Sequence, residues 1–123
     1  MTFAYWCVLA AALIPYFTIV PAKAAKGFDN RAPRPWEQRL TGWRARGYWA
    51  HLNTFEAFPP FAAAVIIAHL AHASQGRIDW LAGTFVVARI AYSICYYADL
   101  ATLRSLVWTI GFACVVGLFV IAA

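Results

Sequence analysis

Four apolar stretches organise the chain. Residues 1–22 carry no charge, which is enough for one membrane-spanning helix of about 20 residues. Pro15 is expected to kink it and Pro21 to end it. After a basic stretch, 23–46, a second apolar run covers 47–73, interrupted by His51, Asn53, Glu56 and His69 and closed by Ser74-Gln75-Gly76. Pro59 and Pro60 lie inside it and predict a local bend just after Glu56. Arg77 and Asp79 mark a short connection. The third run, 80–98, is charged only at Arg89, residues 99–104 form a second loop, and the fourth run, 105–123, is uncharged. Short links between the runs predict an all-α membrane protein: a single domain, 1–123, folded as an up-down bundle of four transmembrane helices.

Composition supports that reading. The chain is 63% hydrophobic and 12% charged, against about 25% charged in a soluble domain. Its net charge of +5 lies wholly within 23–46, which holds seven basic and two acidic residues; elsewhere Arg77, Arg89 and Arg104 balance Glu56, Asp79 and Asp99. Such a distribution follows the positive-inside rule and argues against a nucleic-acid surface. It predicts a multi-pass membrane protein with loops 23–46 and 99–104 in the cytosol and both termini outside. Within the basic stretch, Pro35 can open a short helix with Trp36, Leu40 and Trp43 on one side, lying in the headgroup layer. An irregular loop whose tryptophans touch lipid fits equally well. No basic residue precedes the first run, so it reads as a retained span and not a cleaved signal. Cys7, Cys95 and Cys114 are isolated within apolar segments and read as small core residues.

The polar residues inside the runs are the candidate chemistry. Counted from Gly47, Glu56 lies about 13 Å along a helix; counted back from Ala98, Arg89 lies at the same depth. In antiparallel neighbours the two are expected to meet. Arg46, Trp49, Asn53 and Glu56 share one helix face, and so do Arg89, Tyr92, Tyr96 and Asp99. Hydrocarbon offers such stripes no hydrogen bonds, so they turn toward each other or toward a second subunit. A cleft open to the basic side follows, with Glu56 and Arg89 as floor, Asn53, Tyr92 and Tyr96 as walls, and Arg46, Asp99 and Arg104 at the mouth. Its excess of cations suits a small polar anion, since arginine pairs with carboxylates through charge-assisted hydrogen bonds. The competing reading is a buried polar network that sets helix register or oligomeric state. His51 is expected to pack at an interface. His69 and His72, lacking a third ligand, read as interfacial residues and not a metal site. The tryptophans read as an aromatic belt, and Gly111 and Gly117 either as points of close packing or as merely tolerated. The polar groups cluster toward one side, which disfavours a channel.

The run Ala50-His51-x-Asn53-x-x-Glu56-x-x-Pro59-x-Phe61, followed by Arg89-x-x-Tyr92-x-x-x-Tyr96 and Arg104-Ser105, resembles the MAPEG family, membrane-associated proteins in eicosanoid and glutathione metabolism. The Asp29-Asn30-Arg31-x-Pro33-Arg34 and Asp99-Leu100-x-x-Leu103-Arg104-Ser105-x-x-Trp108 segments look most similar to bacterial members, which implies a bacterial inner membrane as the location. The resemblance implies a homotrimer that binds glutathione between neighbouring subunits near the cytosolic side. Asn53, Glu56, Arg89, Tyr92 and Tyr96 would contact or position the tripeptide, and Arg46 would help hold its carboxylates. Arg104 or Ser105, with Tyr96, would activate the sulfur toward a hydrophobic small-molecule substrate arriving through membrane lipid. The implied activity is that of a glutathione transferase or peroxidase. Trp49 and Leu52 stand where glutathione-using relatives carry arginines. They keep open a second implication, a non-catalytic lipid-binding or scaffold protein of the same fold.

Overall fold

The computed structural model describes residues 1–123 and contains five helices: α1 (Phe3–Lys23), α2 (Pro33–Gln38), α3 (Gly42–Leu70), α4 (Gln75–Tyr97) and α5 (Ala101–Ala122). Helices α1, α4 and α5 are long and apolar enough to cross a membrane. The longest helix, α3, is more polar, carrying Arg44, Arg46, Asn53 and Glu56 through the same bundle.

Cross-helix contacts fix the topology. His51 reaches Pro15 and His69 reaches Thr2, so α3 runs antiparallel to α1. Asp79 accepts from the Ala4 amide and Ser93 meets Thr18, so α4 runs parallel to α1. The first of these bonds also supplies α1 with an acceptor for an N-terminal amide that no helical carbonyl can satisfy. The main core lies in the half of the bundle away from the basic stretch. There Ala4, Cys7, Ala11, Ala64, Ala68 and Ala82 let the helices approach around stacked Phe61 and Phe85, whose ring centroids are 3.8 Å apart. The other half is layered with buried polar residues, Thr18, His51, Thr54, Arg89 and Ser93, and holds the candidate site.

Several expected boundaries move. Charge does not end α3. It begins at Gly42, five residues before the predicted start, and so absorbs Trp43, Arg44 and Arg46. Arg46 donates from Nε to the Tyr96 carbonyl (3.1 Å) and from Nη2 to the Tyr97 carbonyl (3.1 Å), while Arg44 Nη2 lies 3.5 Å from the Ala24 carbonyl. These two cations therefore satisfy the free carbonyl ends of α4 and α1. The short helix expected from Pro35 exists as α2, but Leu40 and Trp43 lie outside it. Pro59 and Pro60 do not interrupt α3, and Pro21 does not stop α1.

Helices α3 and α4 both end without glycine. His72 (φ 56°) and Asp99 (φ 60°) take the left-handed conformation. Around them, Ala73 N–H bonds Ala68 O and His72 N–H bonds His69 O; Leu100 N–H bonds Cys95 O and Asp99 N–H bonds Tyr96 O. These are paired six-to-one and five-to-two closures of a Schellman turn. The resulting turns are so tight that Gln75, Arg77 and Asp79, expected in a connection, are helical in α4, and Arg104, expected in a loop, lies in the first turns of α5.

Candidate functional site

Near the middle of α3, Asn53 and Thr54 face α4. Arg89, only 2% exposed, donates from Nη2 to Asn53 Oδ1 and to Thr54 Oγ1, each at 3.0 Å. The expected direct pair between Glu56 and Arg89 does not form: no Arg89–carboxylate contact lies within 4.0 Å, and Glu56 is instead reached by Asn53 Nδ2 at 3.3 Å. Depth along the two helices brings these residues to one level, but rotation about α3 decides which one meets Arg89. At ~100° per residue, Thr54 and Glu56 point about 160° apart. Glu56 is exposed at the bundle surface, on the rim of the cavity it shares with Arg89.

Arg89 also leaves its buried Nε without an acceptor. Together with Asn53 and Glu56 it lines a cavity of about 200 Å³, closed elsewhere by Ala57, Pro60, Phe85, Trp108, Gly111, Phe112 and Val115 from α3, α4 and α5. Trp108 and Phe112 stack at 5.3 Å with their planes 6° apart. Along α5, Arg104, Trp108, Gly111 and Val115 are spaced 4, 3 and 4, so one helix face carries both the cavity wall and the cation above it.

From Arg89 toward the basic stretch, cations and rings alternate. The Arg89 guanidinium carbon lies 4.2 Å from the centroid of the Tyr92 ring; Tyr92 meets Tyr96 edge-on at 5.6 Å; and the Arg104 guanidinium carbon lies 4.3 Å from the Tyr96 centroid. Trp49 flanks Tyr96 at 6.3 Å. Such contacts hold each cation over a π-face. They assemble Asn53, Arg89, Tyr92, Tyr96 and Arg104 as the sequence led one to expect. Ser105, rotated about 100° from Arg104, is exposed, and no side-chain hydrogen bond joins it to the column. Arg46, expected to hold a ligand carboxylate, is committed to the end of α4, with Asp99 4.0 Å away.

Other contacts hold the site's frame. Tyr97 donates to the Thr18 carbonyl at 2.6 Å, and Thr18 and Ser93 hydroxyls lie 3.2 Å apart. Gly47 permits this crossing, because a Cβ there would collide with the Tyr97 ring and hydroxyl. His51 is buried and its Nδ1 donates to Pro15 O at 2.6 Å, a packing role. His69 donates from Nδ1 to Val65 O, leaving Nε2 to accept from Thr2, and stacks on Tyr5 at 4.2 Å. Sequence reasoning missed Thr54 and Phe112 and assigned Trp108 to the membrane boundary. The spacing of Trp108 and Phe112, four and eight residues beyond Arg104, was the available signal.

The chain matches the model of the MAPEG family over residues 3–123. No curated protein and no solved structure matches it. An all-helical bundle with three helices apolar enough to cross a membrane, a polar cleft among α3, α4 and α5, and a family match over nearly the full length lead to one assignment: this chain belongs to the MAPEG family.

Proposed function

We propose that the protein is a glutathione-dependent transferase or peroxidase of a bacterial inner membrane, acting on hydrophobic electrophiles, with all four long helices spanning the bilayer and the basic stretch in the cytosol. The observation that carries this reading is the column Arg89, Tyr92, Tyr96 and Arg104 rising from a cavity that also holds Asn53 and Glu56. The unpaired Nε of Arg89 is a donor awaiting an acceptor, and a carboxylate of the tripeptide is a fitting one. Arg104, half-buried over Tyr96, is the fixed cation near which the thiol is held. A free thiol ionises near a pKa of about 8.5, and an adjacent cation favours the thiolate, which is the nucleophile. The electrophile enters from the lipid side, where exposed Trp108 and Phe112 offer an apolar wall.

Two observations favour a homotrimer. The cavity, at about 200 Å³, is smaller than the roughly 300 Å³ at which pockets begin to enclose a ligand, so one subunit supplies only part of the wall. Glu56 also stands exposed halfway along α3, where lipid contact is costly and a neighbouring subunit relieves it. Purified protein assayed with glutathione and a chromogenic electrophile tests the proposal. Turnover is expected, with Arg104→Ala losing most of it; no turnover, together with no thermal protection by millimolar glutathione, overturns it.

Two observations favour a second reading, a non-catalytic lipid-binding or scaffold protein: Arg46 is engaged by helix carbonyls, and Trp49 and Leu52 occupy positions where the family resemblance leads one to look for arginines. On that reading Arg104→Ala leaves ligand binding and assembly unchanged.

A further inference from the structure

The basic stretch is not uniformly available. Of its seven cations, Lys23 is paired with buried Glu37 at 2.8 Å, and Arg44 and Arg46 reach the carbonyl ends of α1 and α4. Lys26, Arg31, Arg34 and Arg39 remain, all exposed and none in an ion pair. The segment that carries them is anchored. Phe28 meets Trp36 edge-on at 5.1 Å, Lys23 lies over Phe28, and the Lys23–Glu37 bridge ties α2 to the end of α1. Half-buried Trp36 and 45%-exposed Trp43 stand beside these cations, and indoles favour the boundary between hydrocarbon and headgroups.

We propose that this anchored stretch is a docking surface for anionic phospholipid headgroups of the leaflet on its own side. The four free cations sit between the end of an apolar helix at Lys23 and the start of α3 at Gly42, within reach of headgroup phosphates. Tethering to the end of an apolar, membrane-long helix favours lipid over RNA or DNA as the partner. Each cation near an anionic surface strengthens the attraction to it about fivefold, and attraction of this kind is screened by salt. The surface stands on the loop alone and is independent of what the cleft binds.

The experiment places the full chain in nanodiscs of phosphatidylcholine containing phosphatidylglycerol, then transfers it to mild detergent and counts retained lipids by native mass spectrometry. Phosphatidylglycerol is expected to be enriched over its share of the bilayer, with enrichment falling at high salt. A variant with Lys26→Gln, Arg31→Gln, Arg34→Gln and Arg39→Gln loses the enrichment by more than fivefold, whereas Arg77→Gln, exposed at the opposite end of the bundle, keeps it. Retention in bulk proportion overturns the proposal, as does enrichment unmoved by salt in the unaltered protein, which needs no variant to fold. RNA binding that exceeds lipid enrichment under the same salt also overturns it.

Discussion

Arg89 gives the sharpest test of the structure, because two arrangements of the same residues make opposite predictions. With Arg89 bonded to Asn53 Oδ1 and Thr54 Oγ1 at 3.0 Å each, Thr54→Val keeps the side-chain shape and removes one acceptor from a buried cation whose Nε is already unpaired. A hydrogen bond to a charged group contributes about 1.5–3 kcal/mol, so a loss of about 2 kcal/mol is expected, and Asn53→Leu should cost a similar amount. Combining the two leaves the cation with no acceptor, the situation in which breaking a buried pair costs about 3–5 kcal/mol. Glu56→Gln should behave differently. The side chain is exposed, does not touch Arg89, and still offers Asn53 Nδ2 an oxygen, so the change should be under about 1 kcal/mol. Unfolding free energies from denaturant titration in mixed micelles separate the cases. If Glu56→Gln destabilises the bundle as much as Thr54→Val, the carboxylate is the true partner and the geometry argued above is wrong.

Three further outcomes are expected. Gly47→Ala drives a Cβ into the Tyr97 ring and should cost about 1–3 kcal/mol, as overpacking does; the same substitution in a Tyr97→Ala background should cost little more, and an undiminished cost there would locate the clash elsewhere. Arg46→Ala removes both donors to the α4 carbonyls and should lose about 1–2 kcal/mol, while Asp99→Asn, exposed and 4.0 Å from Arg46, should change stability by less than about 1 kcal/mol; equal losses in the same titration would mean the ion pair matters and the cap does not. His72→Gly relieves a left-handed residue at the end of α3 and should raise stability by up to about 1 kcal/mol, measured by thermal unfolding; a loss would show that the imidazole has a role in the turn.

Much of the site was legible before the structure. Asn53, Arg89, Tyr92, Tyr96 and Arg104 come together because the helical repeat puts them on shared faces and hydrocarbon leaves polar faces nowhere else to turn. Depth arithmetic also brought α3 and α4 close to their true level. Illegible were the choices between neighbours at one level. Thr54 and not Glu56 meets Arg89 because rotation about α3 is set by packing along the whole helix, including Phe61 on Phe85 and His51 on Pro15. Arg44 looked like a loop charge and Arg46 like a cation at the cleft mouth, yet long side chains near a helix end can reach a neighbouring helix's free carbonyls, and nothing in their spacing names that acceptor.

Apolar run length and the confinement of net charge to residues 23–46 were enough to determine an all-helical membrane chain with its polar residues gathered toward the basic side, because water and hydrocarbon sort residues by composition regardless of contact. Helix ends at His72 and Asp99, the place of Glu56 on the cavity rim and the diversion of Arg46 were decided only in the folded bundle. Each depends on a partner brought close by packing, and a one-dimensional pattern does not encode which of several equally spaced groups will stand within 3 Å of another.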